Sequence, residues 1–167
     1  AVAKYWTCKR AIGVVAEALE CHGGNGYVEE SIMPRLYREA PLNSIWEGSG
    51  NVSALDVLRA MAREPESVDA FVAEIEEARG SDPRLDESID QLKRDLSDTS
   101  EAEARARRTV ELMAVALEAS LLLRHGDPAV AEAFCASRLH SEGGRSFGTL
   151  QPSSKLAGIV ERHRPAI

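Results

Sequence analysis

Cysteine is scarce in this chain. Cys8, Cys21 and Cys135 are an odd number at wide spacings, which argues against a disulfide framework and for a reducing compartment, the cytoplasm. Long apolar runs are missing as well: none approaches the roughly 20 residues of a membrane span, and no charged-then-apolar leader is legible, so no membrane partner is expected. Excess positive charge is also absent. The net charge is −7, and residues 60–100 hold 12 Asp/Glu against 5 Lys/Arg, an acidic block that repels phosphates and reads as a solvated helical face. Residues 101–167 carry 9 Lys/Arg against 8 Asp/Glu, no footprint for nucleic acid. Metal-ligand spacing is lacking too. Cys21-His22 has no spaced partners, and His125, His140 and His163 stand alone, so no metal site is expected.

What remains is helical periodicity, and no segment alternates long enough to be a strand. Tyr5, Cys8, Ile12, Val15 and Leu19 share one stripe, predicting a helix to about Glu20 that Gly23, Gly24 and Gly26 stop. Residues 27–34 read as irregular, and a short helix follows Pro34 and ends before Pro41. Val52, Leu55, Leu58 and Met61 mark a helix fading by Arg63; Ser67 reads as the N-cap of the next, through Val68, Phe71, Val72 and Ile75. Leu85, Ile89, Leu92 and Leu96 form a further stripe after the turn at Gly80–Pro83. Ser100 with Glu103 reads as a capping box opening the longest helix, whose stripe is Val110, Met113, Leu117 and Leu121 and which stops near His125–Pro128. Ala131, Phe134, Cys135 and Leu139 define another helix ended by Gly143-Gly144, and a last one runs from Ser153 to about Glu161. The expected fold is all-α, an antiparallel helical bundle. The first residue is Ala1 and the pattern is already helical there, so the chain reads as the C-terminal portion of a longer protein.

Two glycine-rich turns, joined by one short arm, interrupt the helices. The second, Asn43-Ser-Ile-Trp-Glu-Gly-Ser-Gly-Asn51, sets one acid, Glu47, between an aromatic and a Gly-Ser-Gly run. A carboxylate there, beside free backbone N–H groups, suits a general base next to an oxyanion pocket. Ile45 and Trp46 predict a partly apolar setting that would raise its pKa. The first turn, Gly23-Gly-Asn-Gly26, follows a helix and lacks a preceding strand. It is therefore neither a P-loop nor a dinucleotide fingerprint, and reads as a helix stop or as bare backbone offered to a ligand or neighbouring chain. Arg35 and Arg38 share a face of the arm and are expected to pair with Glu39 or Glu30. Arg105, Arg107 and Arg108 are interleaved with Glu101, Glu103 and Glu111 and read as a solvated face.

The stretches Glu20-Cys-His-Gly-Gly-Asn-Gly-Tyr27, Pro34-Arg-Leu-Tyr-Arg-Glu39 and Ile45-Trp-Glu-Gly-Ser49 resemble the C-terminal helical domain of the FAD-dependent acyl-CoA dehydrogenases. Ala3-Lys-Tyr-Trp6, Arg35 through Asn51 and Leu55-Asp-Val-Leu-Arg59 are similar to its alkylation-response (AidB-like) branch. The resemblance is dense over 1–59 and looser over 101–150, where Ala131-Glu-Ala-Phe-Cys135 and Gly143-Gly-Arg145 are similar to that branch's extra helical region. It implies two parts, 1–63 as the end of the dehydrogenase helical domain and 64–167 as an additional helical region packing on it. It implies α,β-dehydrogenation of an acyl-CoA, with Glu47 taking the α-proton, Glu47 and Gly48 binding substrate, and the hydride passing to FAD. It places Glu20, Gly23 and Gly24 on the FAD of a neighbouring subunit and Ser49 and Asn51 on that of their own, hence a homo-oligomer. Dehydrogenases usually carry Gln, Tyr, Thr and Gln where this chain has Glu20, Trp46, Ser49 and Asn51. These departures agree with the alkylation-response branch, which implies the alternative of a flavoprotein associated with double-stranded DNA and with weak or no dehydrogenase activity. The isolated piece is expected to be inactive and not to retain FAD.

Overall fold

A computed structural model describes residues 1–140, 146–153 and 155–165. Among these, every regular element is helical. In order they are α1 (Val2–Cys21), α2 (Gly24–Tyr27), α3 (Met33–Glu39) running into a 3₁₀ helix (Ala40–Ser44), α4 (Gly50–Arg63), α5 (Pro65–Glu76), α6 (Pro83–Ser97), α7 (Ala102–His125), α8 (Pro128–Phe134) running into a π turn (Cys135–Leu139), and α9 (Leu156–Arg162). No helix among the described residues is long and apolar enough to cross a membrane. The expected helix end at Gly143-Gly144 and the match at Gly143–Arg145 lie outside the described residues.

The chain forms two compact units. The first comprises Ala1–Ser67 and Asp98–Ala114. In it, the arm after α1 doubles back, so that α3, the 3₁₀ helix and α4 all pack on α1. Its buried apolar residues are Tyr5, Ala40, Ala54, Val57, Ala106, Val110, Met113 and Ala114. The α1 stripe is therefore shallower than its periodicity implies, since only Tyr5 of it is fully buried. The α-helical turns of α3 end at Glu39 as expected. The chain then continues through Pro41 in 3₁₀ form, because a proline in a first turn forfeits no intrahelical bond.

The second unit comprises Val68–Ser97 and Val115–Ile167. The α6 stripe holds: Leu85, Ile89 and Leu92 are fully buried, each contributing about 1.5–3 kcal/mol of burial. The α7 stripe is only half right. Val115, Ala116, Ala119 and Ser120 are buried while Leu121 is exposed, because small side chains let neighbours approach over a wider arc than the leucines mark. Part of the acidic block is paired here. Glu76 accepts from Arg79 and Lys93, which holds its carboxyl down at about 2. Arg79 also reaches Asp90, and Arg124 bonds Glu74 at 2.6 Å.

Two expected helix starts are wrong. α5 begins at Pro65, so Ser67 lies inside it and not at its cap; the proline's fixed φ starts the helix two residues earlier. The Ser100 capping box does not form. The Ser100 hydroxyl donates to Asp98 Oδ1 at 2.5 Å, Glu101 takes φ 51°, and α7 starts at Ala102. The left-handed Glu101 delays the helix by a residue, so Ser100 is not at its N-cap, and the Ser100 amide and hydroxyl both donate to Asp98 Oδ1 in a local turn.

The best-built polar group of the second unit is Asp82, just before Pro83. Its Oδ1 accepts the Arg84 amide at 2.8 Å, the geometry of an N-cap, and its carboxylate also binds the Arg84 guanidinium at 2.7 Å, with Glu132 on the other side at 3.1 Å. These bonds, led by that from the Arg84 side chain, hold the Asp82 carboxyl below its ordinary range. The neighbouring Cys135 thiol is pushed up to about 11, chiefly by burial. Asp82→Ala is expected to cost about 2 kcal/mol at neutral pH, from the lost cap and the unpaired arginine. Because the folded value is depressed, Asp82's contribution is present above the usual aspartate pKa and is lost as pH falls through the folded one. Urea denaturation of both proteins at neutral pH and below pH 3 should show the gap closing in acid.

Candidate active site

Glu47 sits in the turn between the 3₁₀ helix and α4, with φ 56°, followed by Gly48 at φ 104°. A left-handed glutamate costs about 1–2 kcal/mol, so the surroundings must hold it there. Upstream, the amides of Ile45 and Trp46 both donate to the Leu42 carbonyl, at 2.9 and 3.2 Å. Downstream, the buried Ser53 donates its hydroxyl to the Gly48 carbonyl at 3.3 Å, and its amide to that of Ser49 at 2.8 Å. From α1, Lys4 Nζ donates to the carbonyls of Asn43 and Trp46, at 3.2 and 3.0 Å. Among the described residues no protein acceptor bonds the amides of Glu47, Gly48 and Ser49. The Ser49 side chain makes no cap bond to α4, and Asn51 Oδ1 accepts from Arg107 Nε at 3.3 Å.

The expected apolar setting is not formed. Ile45 and Trp46 are 62% and 58% exposed, and Glu47 is exposed with them, because among the described residues nothing covers their side of the turn. Arg107 is exposed, as the reading of a solvated face expects, and from there it binds Asn51.

Glu20, Gly23 and Gly24 are exposed at the other end of α1. Lys4 and Glu20 are 16 positions apart on that helix, roughly 24 Å along its axis. The glycine turn is more regular than expected: Gly23, at φ 57°, breaks α1, and Gly24–Tyr27 forms one helical turn. A Cβ on Gly26 would lie 2.2 Å from the Leu19 carbonyl oxygen, whereas one on Gly23 or Gly24 would meet nothing within 4 Å. Gly26 is thus needed for packing, and the bare backbone of Gly23 and Gly24 is open. Beside it runs a groove of about 880 Å³, lined by Leu19, Glu20, Tyr27, Tyr37 and Arg38 among others. Arg38 binds Glu29 through two bonds of 2.7 and 3.1 Å, which hold the Glu29 carboxyl below its usual range, and Arg35 binds Glu39 at 2.9 Å. Arg38 therefore takes Glu29, not Glu30 as expected from spacing. Among the described residues no group of three or more His, Cys, Asp or Glu side chains is placed to hold a metal ion.

Residues 1–62, which carry both turns, match the family described as acyl-CoA dehydrogenase, C-terminal domain. They belong to the acyl-CoA dehydrogenase family. The putative acyl-CoA dehydrogenase AidB of Escherichia coli (strain K12) is 41% identical over 142 residues, 85% of this chain and 26% of that protein. Acyl-CoA dehydrogenase family member 11 of Caenorhabditis elegans is 38% identical over 92 residues, 55% of this chain and 15% of that protein. Among solved structures, Caenorhabditis elegans ACDH-11 in complex with C11-CoA superposes with a TM-score of 0.66 at 27% identity, covering 83% of this chain and 28% of that one. The chain spans about a quarter of the length of AidB, and the similarity to it continues well past the family domain. Lys4 and Gly26 escaped the sequence reading as functional positions. A lysine on a helix face and one glycine among three carry no signal until the arm's return path is known.

The two glycines should separate in experiment. Gly26→Ala is expected to destabilise by about 1–3 kcal/mol through overpacking, and Gly24→Ala to be neutral or up to about 1 kcal/mol stabilising. Urea denaturation of the two variants measures the difference.

Proposed function

We propose that this chain is the C-terminal catalytic portion of an FAD-dependent acyl-CoA dehydrogenase, in which Glu47 removes the α-proton of an acyl-CoA thioester. The observation that carries the reading is the Glu47 turn: an exposed carboxylate on a left-handed backbone, pinned on three sides, whose own amide and those of Gly48 and Ser49 have no protein acceptor among the described residues. Glu47 takes the proton, and the adjacent amides stabilise the negative charge that develops on the thioester oxygen. When bound, FAD would supply the acceptor for the β-hydride. At this end the donor set fits it, since the Ser49 hydroxyl and the Asn51 amide, steadied by Arg107, offer neutral polar contacts.

At the glycine end the fit is narrower. Gly23 and Gly24 offer bare backbone, but Glu20, Glu29 and Glu30 line the groove against one arginine that Glu29 already occupies. Three carboxylates disfavour a diphosphate there and favour a cofactor's sugar hydroxyls. The separation of the two ends along α1 agrees with contacts to two cofactor molecules in an assembly of chains. The DNA-associated alternative is not favoured by charge, because residues 101–167 sum to only +1.

The test uses the full-length protein loaded with FAD and acyl-CoAs of several chain lengths. Glu47→Gln is expected to slow flavin bleaching by about 10²–10⁴-fold while FAD content stays unchanged. Unchanged bleaching in that variant, or none by any acyl-CoA in the parent, would remove the catalytic role.

A further inference from the structure

The Lys4 clamp has a geometric consequence for the donor set. The peptide between Trp46 and Glu47 is trans and planar, so its C=O and N–H point in opposite directions. The Lys4 ammonium holds the Trp46 carbonyl toward α1 at 3.0 Å and the Asn43 carbonyl at 3.2 Å. The Glu47 N–H is therefore turned away from α1, to the side on which the turn is exposed. Without that hold, Glu47 would have little reason to keep φ 56°, a conformation side-chain-bearing residues leave readily. The Ser53 bond fixes only the following peptide, at the Gly48 carbonyl. Lys4 is thus the contact, from outside the turn and its flanking helices, that sets the direction of the peptide before the carboxylate.

We infer that Lys4 is a positioning residue for the reaction: by gripping the Asn43 and Trp46 carbonyls it aims both the Glu47 amide and the Glu47 carboxylate at the substrate. This rests on the reading of Glu47 as the base. The role of Lys4 runs through the two turn carbonyls that its ammonium bonds. An arginine, with several N–H donors on a long stem, can hold the same two carbonyls; a methionine keeps the stem and loses every donor.

The experiment uses the full-length, FAD-loaded protein and its Lys4→Met, Lys4→Arg and Glu47→Gln variants. In Lys4→Met, amide exchange of Ile45 and Trp46, whose amides close the turn onto Leu42, is expected to speed by about 10-fold or more, with exchange across Ala54–Val57 unchanged. Its kcat should fall by about 10–100-fold, with KM for acyl-CoA within about 3-fold, as misplacement of a reacting group predicts. Lys4→Arg should restore most of both. Exchange of Ile45 and Trp46 equal to the parent's in Lys4→Met would overturn the inference. So would loss of protection spreading through α4 with kcat and KM changing together, which marks a merely structural lysine. If Glu47→Gln keeps full activity, the reading of Glu47 fails, and the exchange contrast still decides whether Lys4 holds the turn.

Discussion

Helix α1 is gripped twice by the segment that follows it, and the candidate site exists only because both grips hold. Near its C-terminus, Gly26 seats against the Leu19 carbonyl at a distance that no side chain permits. Near its N-terminus, Lys4 bonds two carbonyls of the turn that carries Glu47. Between the grips, α3 and the 3₁₀ helix return along α1. The arm's length and direction thereby become fixed quantities, and a glutamate on an otherwise permissive loop acquires a defined place. One grip is steric and the other electrostatic, and they constrain different things: Gly26 sets how closely the arm approaches, Lys4 which way the turn's peptides face.

The same logic of local polar anchoring recurs in the second unit with no chemistry attached. Asp82 caps α6, binds the side chain of the residue two positions on, and shares it with Glu132. Part of the acidic middle of the sequence is engaged in such pairs, at Glu74, Glu76, Asp82 and Asp90. Exposed pairs of this kind contribute little to stability one by one, but Asp82 is buried, and a buried carboxylate must keep its partners or lose much more than one bond.

Periodicity made the fold class and most helix positions legible. The Leu85–Leu92 stripe and the ends of α3 and α7 were readable because apolar spacing and proline or glycine punctuation act locally. Two starts were misread for equally local reasons that the pattern could not rank: Pro65 preceded Ser67 as an initiator, and the left-handed Glu101 set the start of α7 past Ser100. The setting of Glu47 was misread for a different reason. Ile45 and Trp46 are apolar, but burial is a property of what lies opposite, and among the described residues nothing lies opposite them.

By itself, then, the sequence determined an all-helical chain, two glycine-rich turns on one arm, a family resemblance dense over its first third, and a lone glutamate in chemically apt company. These follow from residue types and spacings of a few positions, over which backbone preference and side-chain chemistry are nearly independent of the rest. The tertiary structure alone decided which of the glycines is needed for packing, that the two turns lie at opposite ends of one helix, and that a lysine some forty positions upstream holds the peptide before the glutamate. Those depend on where the chain returns in space, and no local preference encodes the direction from which a distant side chain arrives.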